Sequence, residues 1–120
     1  MRNALPPTGG DFAVVRRQDN DVIVLSVSGA VDGVTAPSLA THLDIAMTDQ
    51  PRLLVVDLEA VEFMSTSGIN LLVELQRLVA PTGTTLRIAA DGPATSRPMR
   101  LLSIDRLIDL YASTDEALAG

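Results

Sequence analysis

The chain has no cysteine, almost no aromatic residues, and no cluster of Lys and Arg in a sequence of formal net charge −6. Without cysteine there is no disulfide framework and no thiolate chemistry, and the composition fits a reducing compartment, the cytoplasm. No nucleic-acid partner is expected, because phosphate contacts need cations and single strands need aromatic stacking platforms. No apolar run is long enough to cross a bilayer, and the N-terminal MRNALPPTGGD lacks the apolar core of a signal peptide, so no membrane partner is expected. No glycine-rich phosphate loop is present, and Ser65-Thr66-Ser67-Gly68 lacks the leading glycine of a nucleophile elbow. His42 is the only histidine and lies off the apolar stripe of its helix, where a surface position is expected. Three acids, Asp57, Glu59 and Glu62, crowd what reads as a loop, a weak metal signal. No metal, no cofactor and no enzymatic activity are expected.

What is present is an ordinary globular composition. With 120 residues, 47% hydrophobic and 20% charged, the chain makes one domain with a full core. Residues 1–10 read as a flexible N-terminal tail ahead of a domain at 11–120. Phe12 to Arg17 and Val22 to Ser28 read as a hairpin across Asp19-Asn20-Asp21, ended by Gly29, with Ala30 to Gly33 as a loop. A helix follows, capped near Thr35 with Pro37 in its first turn; Ala36, Leu39, Ala40, Leu43 and Met47 give its buried stripe. Further on come a strand at Thr85 to Ala89, a helix from Ala94 to Leu102, a strand from Leu107 to Tyr111, and a terminal helix opened by Ser113 with Glu116 at capping-box spacing. The order ββαβαβαβα implies an α/β fold: a single small layer, a mixed and mostly parallel sheet with helices packed on it.

The organising stretch is Leu53 to Val79. Leu53-Leu54-Val55-Val56 is the continuous apolar run of a strand covered on both faces, after which the pattern loosens; Phe63 and Met64 are expected to pack the connection down. A helix restarts at Ser65-Thr66-Ser67-Gly68, with Ser65 as its N-cap. At about 100° per residue, Leu71, Leu72, Leu75, Leu78 and Val79 form the core face, with Gly68 inside that arc and Ser67 at its edge. Thr66, Ile69, Val73 and Arg77 fall on the outward face. Two readings follow. Either the hydroxyls only satisfy backbone donors, or Thr66 is a phosphorylatable hydroxyl at the rim of a partner-binding face, where the helix N-terminus tolerates added negative charge.

The run Val55-Val56-Asp57-Leu58, continued by Val61-Glu62-Phe63-Met64-Ser65-Thr66-Ser67-Gly68-Ile69, resembles the signature of STAS domains, specifically bacterial anti-sigma factor antagonists. The likeness extends to Gly29-Ala30-Val31-Asp32 and Ala36-Pro37-Ser38-Leu39 before it, and to Asp105-Arg106-Leu107 and Thr114 to Leu118 after it. It covers nearly the whole chain from about residue 12. The family's usual Asp-Ser-Ser-Gly or Asp-Ser-Thr-Gly run becomes Ser-Thr-Ser-Gly here, with Ser65 in the place of the aspartate.

The resemblance implies a cytoplasmic bacterial switch in transcription regulation and stress response. An unmodified antagonist binds an anti-sigma factor that is also a serine/threonine kinase, and thereby frees the sigma factor. Phosphorylation of the first hydroxyl breaks the complex, and a PP2C-type phosphatase restores it. Carried across, the phosphoacceptor is Thr66, with Ser65 and Ser67 as alternatives. Ser65, Ile69, Asn70, Val73 and Asp32 form the implied partner-binding set, in a monomer or weak homodimer. The alternative within the family is an unphosphorylated module of a stressosome-type scaffold or an accessory subunit of a lipid or anion transporter. A third class, a small-ligand sensor, needs a polar pocket that the sequence does not announce.

Overall fold

The computed structural model of the protein describes residues 11–120, so the expected tail at 1–10 lies outside the described residues. Strands β1 (Ala13–Asp19) and β2 (Val22–Val31) form an antiparallel hairpin. Its turn is closed by Asn20 at φ 56°, a left-handed conformation that asparagine tolerates. Strands β3 (Leu53–Met64), β4 (Thr85–Ala89) and β5 (Asp109–Tyr111) follow in parallel, giving one five-stranded sheet in the order β1-β2-β3-β4-β5. Helices α1 (Ala36–Thr48), α2 (Thr66–Val79), α3 (Ser96–Leu101) and α4 (Thr114–Ala119) connect and complete it. The small mixed sheet with packed helices is the architecture the element order implies.

Strand alternation divides the apolar residues between the faces. On one face, Ile23, Leu25, Leu54, Val56 and Ile88 pack with Leu39 and Leu43 of α1, Leu72 and Leu75 of α2, and Met99 of α3. On the other, Val24, Leu53, Val55 and Ala89 pack against Ala117 of α4.

Several boundaries differ from the pattern, each for a physical reason. Gly29 does not end β2. It sits within the strand at φ +84°, where the register against β3 shifts, and a Cβ there would lie 2.8 Å from the backbone of Asp11 and Phe12. It is a bulge glycine, admitting the incoming chain to close approach. The central strand does not stop at Asp57. It runs to Met64, so Asp57, Glu59 and Glu62 belong to a strand and not to a loop. Met64 is buried, but Phe63 is exposed rather than packed down. Helix α3 starts at Ser96, after a turn at 93–95, and the last strand starts at Asp109, because Ile104–Arg106 forms a 3-10 turn.

Candidate functional site at the start of the second helix

The carboxyl edge of the sheet brings together the ends of β2 and β3. Val31 pairs with Met64, and the Ser65 amide donates to the Val31 carbonyl at 2.8 Å. This bond joins two segments distant in sequence: the Asp32 loop before α1 and the hydroxyl run before α2. Gly68 makes the approach possible, since a Cβ there would come within 2.7 Å of Val31 Cγ1.

Ser65 is the N-cap of α2, with extended backbone, its Oγ accepting from the Gly68 amide at 3.4 Å. Thr66 and Ser67 on the first turn are exposed, as is Asn70. Among the described residues neither the Thr66 nor the Ser67 hydroxyl has a hydrogen-bond partner, whereas Ser65 is committed to its cap.

The rest of the helix is turned from the expected orientation. Gly68, Ile69, Leu72, Leu75 and Val79 are the buried residues. Ile69, expected to face outward, is 5% exposed, and Val73 is half-buried against the core, while Leu78, expected inside, is 60% exposed. The buried arc is therefore rotated by about 50°, which moves Ile69 into it and Leu78 out of it. Thr66 stays outside under either orientation.

The Asp32 loop is held by its own carboxylate. Asp32 Oδ1 accepts from the Val34 amide at 2.9 Å and from the Thr35 amide at 3.0 Å. Thr35 occupies the cap position of α1 but does not cap it; its hydroxyl donates to the Ala30 carbonyl at 2.8 Å. The backbone donors of Thr35 and then Val34 hold the Asp32 carboxyl below its ordinary value of 3.8. A carboxyl depressed in the fold adds stability above the unfolded value, and that contribution disappears as pH falls through the lower folded value. At neutral pH this edge carries a fixed negative charge.

Two apolar side chains of the segments that meet at this edge are exposed: Val34, 86% exposed in the Asp32 loop, and Phe63, 54% exposed at the end of β3 where it was expected to pack down. The available signal was positional. Each lies within three residues of a motif residue, and one of the chain's few aromatics stands out of the core. The three acids of β3 do not converge: Asp57 accepts from Ser26 Oγ at 3.0 Å, Glu59 accepts from Thr114, and Glu62 is exposed. The described residues contain no group of three His, Cys, Asp or Glu placed to hold a metal ion. No described helix is long and apolar enough to cross a membrane.

The STAS domain profile matches residues 13–117. The anti-sigma-F factor antagonist RsfB of Mycobacterium tuberculosis is 33% identical over 101 residues, 84% of this chain and 82% of that protein. An anti-sigma factor antagonist from Mycobacterium paratuberculosis superposes with a TM-score of 0.85 at 35% identity, over 91% of this chain and 92% of that one. The antagonist SpoIIAA in its unphosphorylated form shares the fold, with a TM-score of 0.69 at 15% identity over 91% and 94% of the two chains. The chain belongs to the STAS domain family, and within that family it is similar to anti-sigma factor antagonists.

Proposed function

We propose that the protein is an anti-sigma factor antagonist. It binds an anti-sigma factor that carries serine/threonine kinase activity, releases the sigma factor, and is switched off by phosphorylation of Thr66. The observation that carries this reading is the placement of Thr66. It is an exposed hydroxyl without an intramolecular partner among the described residues, on the first turn of a capped helix, while the neighbouring Ser65 is occupied by the cap. A phosphate there meets the positive end of the helix dipole, so the fold accepts it, whereas a partner packed over the same turn must desolvate it. The mycobacterial antagonists support the partner class.

The docking face in this reading comprises Thr66, Asn70, the rim of Val73, Ser65 and the Asp32 loop. Val34 and Phe63 are its apolar anchors in place of Ile69, which the core occupies. A PP2C-type phosphatase resets the switch, and the cycle takes place in the cytoplasm. Incubation with the cognate kinase and ATP, followed by mass spectrometry, is expected to place phosphate on Thr66. Thr66→Glu is expected to weaken anti-sigma factor binding at least about tenfold in calorimetry. Phosphate on Ser67 alone, or full affinity in Thr66→Glu, would remove Thr66 from the switch.

A further inference from the structure

The loop between β2 and α1 is fixed by its own hydrogen bonds. The Ala30 carbonyl accepts from the Thr35 hydroxyl at 2.8 Å, the Val31 carbonyl from the Ser65 amide at 2.8 Å, and the Asp32 carbonyl from the Ala36 amide at 2.8 Å. The Asp32 amide donates back to Thr35 Oγ1 at 3.0 Å. With the Val34 and Thr35 amides both donating to Asp32 Oδ1, one hydroxyl and one carboxylate oxygen hold the run from Asp32 to Thr35. Asp32 Oδ2 has no hydrogen-bond partner among the described residues. In the sheet Ala30 pairs with Phe63 and Val31 with Met64, so the loop leaves from the same rungs as the hydroxyl run.

The side chain carried by this frame is Val34. At 86% it is the most exposed large apolar side chain of the described residues. Beside it, a Cβ on Gly33 would meet nothing within 4 Å, so the outer side of the loop is open. Val34 adds almost no buried area to the domain, and holding it rigid does nothing for the domain's own packing. A β-branched side chain on a fixed backbone has little conformational freedom left to lose when something covers it.

We propose, resting on the function proposed above, that Asp32 and Thr35 are positioning residues that present Val34, already ordered, to an apolar pocket of the anti-sigma factor. Asp32 acts by shape, through Oδ1, and not by meeting a cation of the partner. Because the loop is ordered before the encounter, little entropy is lost on docking, and affinity follows the loop's conformation. The Thr35 hydroxyl is used wholly within the loop, so its removal reaches the partner only through Val34.

Titration calorimetry of the full chain with the cognate anti-sigma factor separates shape from charge. Val34→Ser is expected to weaken binding about tenfold. Thr35→Val, which removes the hydroxyl at nearly constant volume, and Asp32→Ala are expected to lose about as much. Thr35→Ser and Asp32→Asn, which keep the hydroxyl and the Oδ1 acceptor, recover most of those losses, and Asp32→Asn keeps the salt dependence of the wild type. Adding Val34→Ser to Thr35→Val is expected to weaken binding by less than about threefold further, since the second residue acts through the first. With no partner present, exchange of the Val34 and Thr35 amides follows the same order: slow in the wild type, Thr35→Ser and Asp32→Asn, fast in Thr35→Val and Asp32→Ala. Val34→Ser changes only an exposed side chain and keeps the test open where a loop variant fails to fold. Full affinity in Val34→Ser overturns the inference. So do additive losses in the double variant, or Asp32→Asn as weak as Asp32→Ala with its salt dependence reduced. A wild-type chain that binds no anti-sigma factor overturns the function proposed above. A wild type that binds and a Thr66→Glu that does not, beside a Val34→Ser of full affinity, overturn this inference alone.

Discussion

On one face of the sheet, three helices bury Ile23, Leu25, Leu54, Val56 and Ile88 under large side chains; on the other, among the described residues, the six-residue α4 is the one helix over Val24, Leu53, Val55 and Ala89, with Val22 and Tyr111 packed beside them. The second face is completed by polar contacts. Asp57 accepts from Ser26 Oγ, and the Glu59 carboxylate accepts from both the Thr114 amide and its hydroxyl at 2.9 Å, tying the start of α4 to β3. The first face holds the domain together through apolar area, and the second attaches one short helix through a few directional bonds. The strand serving both faces, β3, carries Asp57 and Glu59 after its apolar first half, where the cover on the second face is polar.

Leu72→Ala, at a fully buried position of the thick face, is expected to cost about 2–5 kcal/mol in denaturant unfolding, and Leu118→Ala on exposed α4 well under about 1 kcal/mol; equal losses would break the distinction. Gly29→Ala meets both an unfavourable φ and the Asp11–Phe12 backbone, and should lose roughly 1–3 kcal/mol by the same measurement. Glu59→Ala should cost about 1–2 kcal/mol. In hydrogen exchange it is expected to deprotect α4 while α2 keeps its protection, which would show the short helix to be held by that carboxylate. Ser65→Ala removes a long cap bond and should cost about 0.5–1 kcal/mol. Thr66→Glu should change stability by no more than about 0.5 kcal/mol, separating its effect on partner binding from any effect on the fold.

The fold was readable where one periodicity dominated. The alternation in β2, the apolar run opening β3 and the Ser65 cap with Gly68 behind it are local, and their consequences are local. Legibility failed where a segment answered to two environments. Asp57, Glu59 and Glu62 look like loop residues because a strand with a polar, partly covered face departs from simple alternation. Ile69 and Leu78 each sit near the edge of an apolar arc on α2, and a wheel cannot choose between them. Phe63 and Val34 are apolar and exposed, contrary to the first assumption about any apolar residue.

The order of residues by itself determined the sequence of strands and helices, the cap of α2 and the outward placement of Thr66, because these follow from backbone geometry within a few residues. Tertiary structure decided the length of β3, the rotation of α2 and the meeting of the Asp32 loop with the hydroxyl run. These depend on which surfaces cover which: α1 packs beside α2 on the sheet and sets how it sits, and the Val31–Ser65 bond spans residues that no local pattern relates.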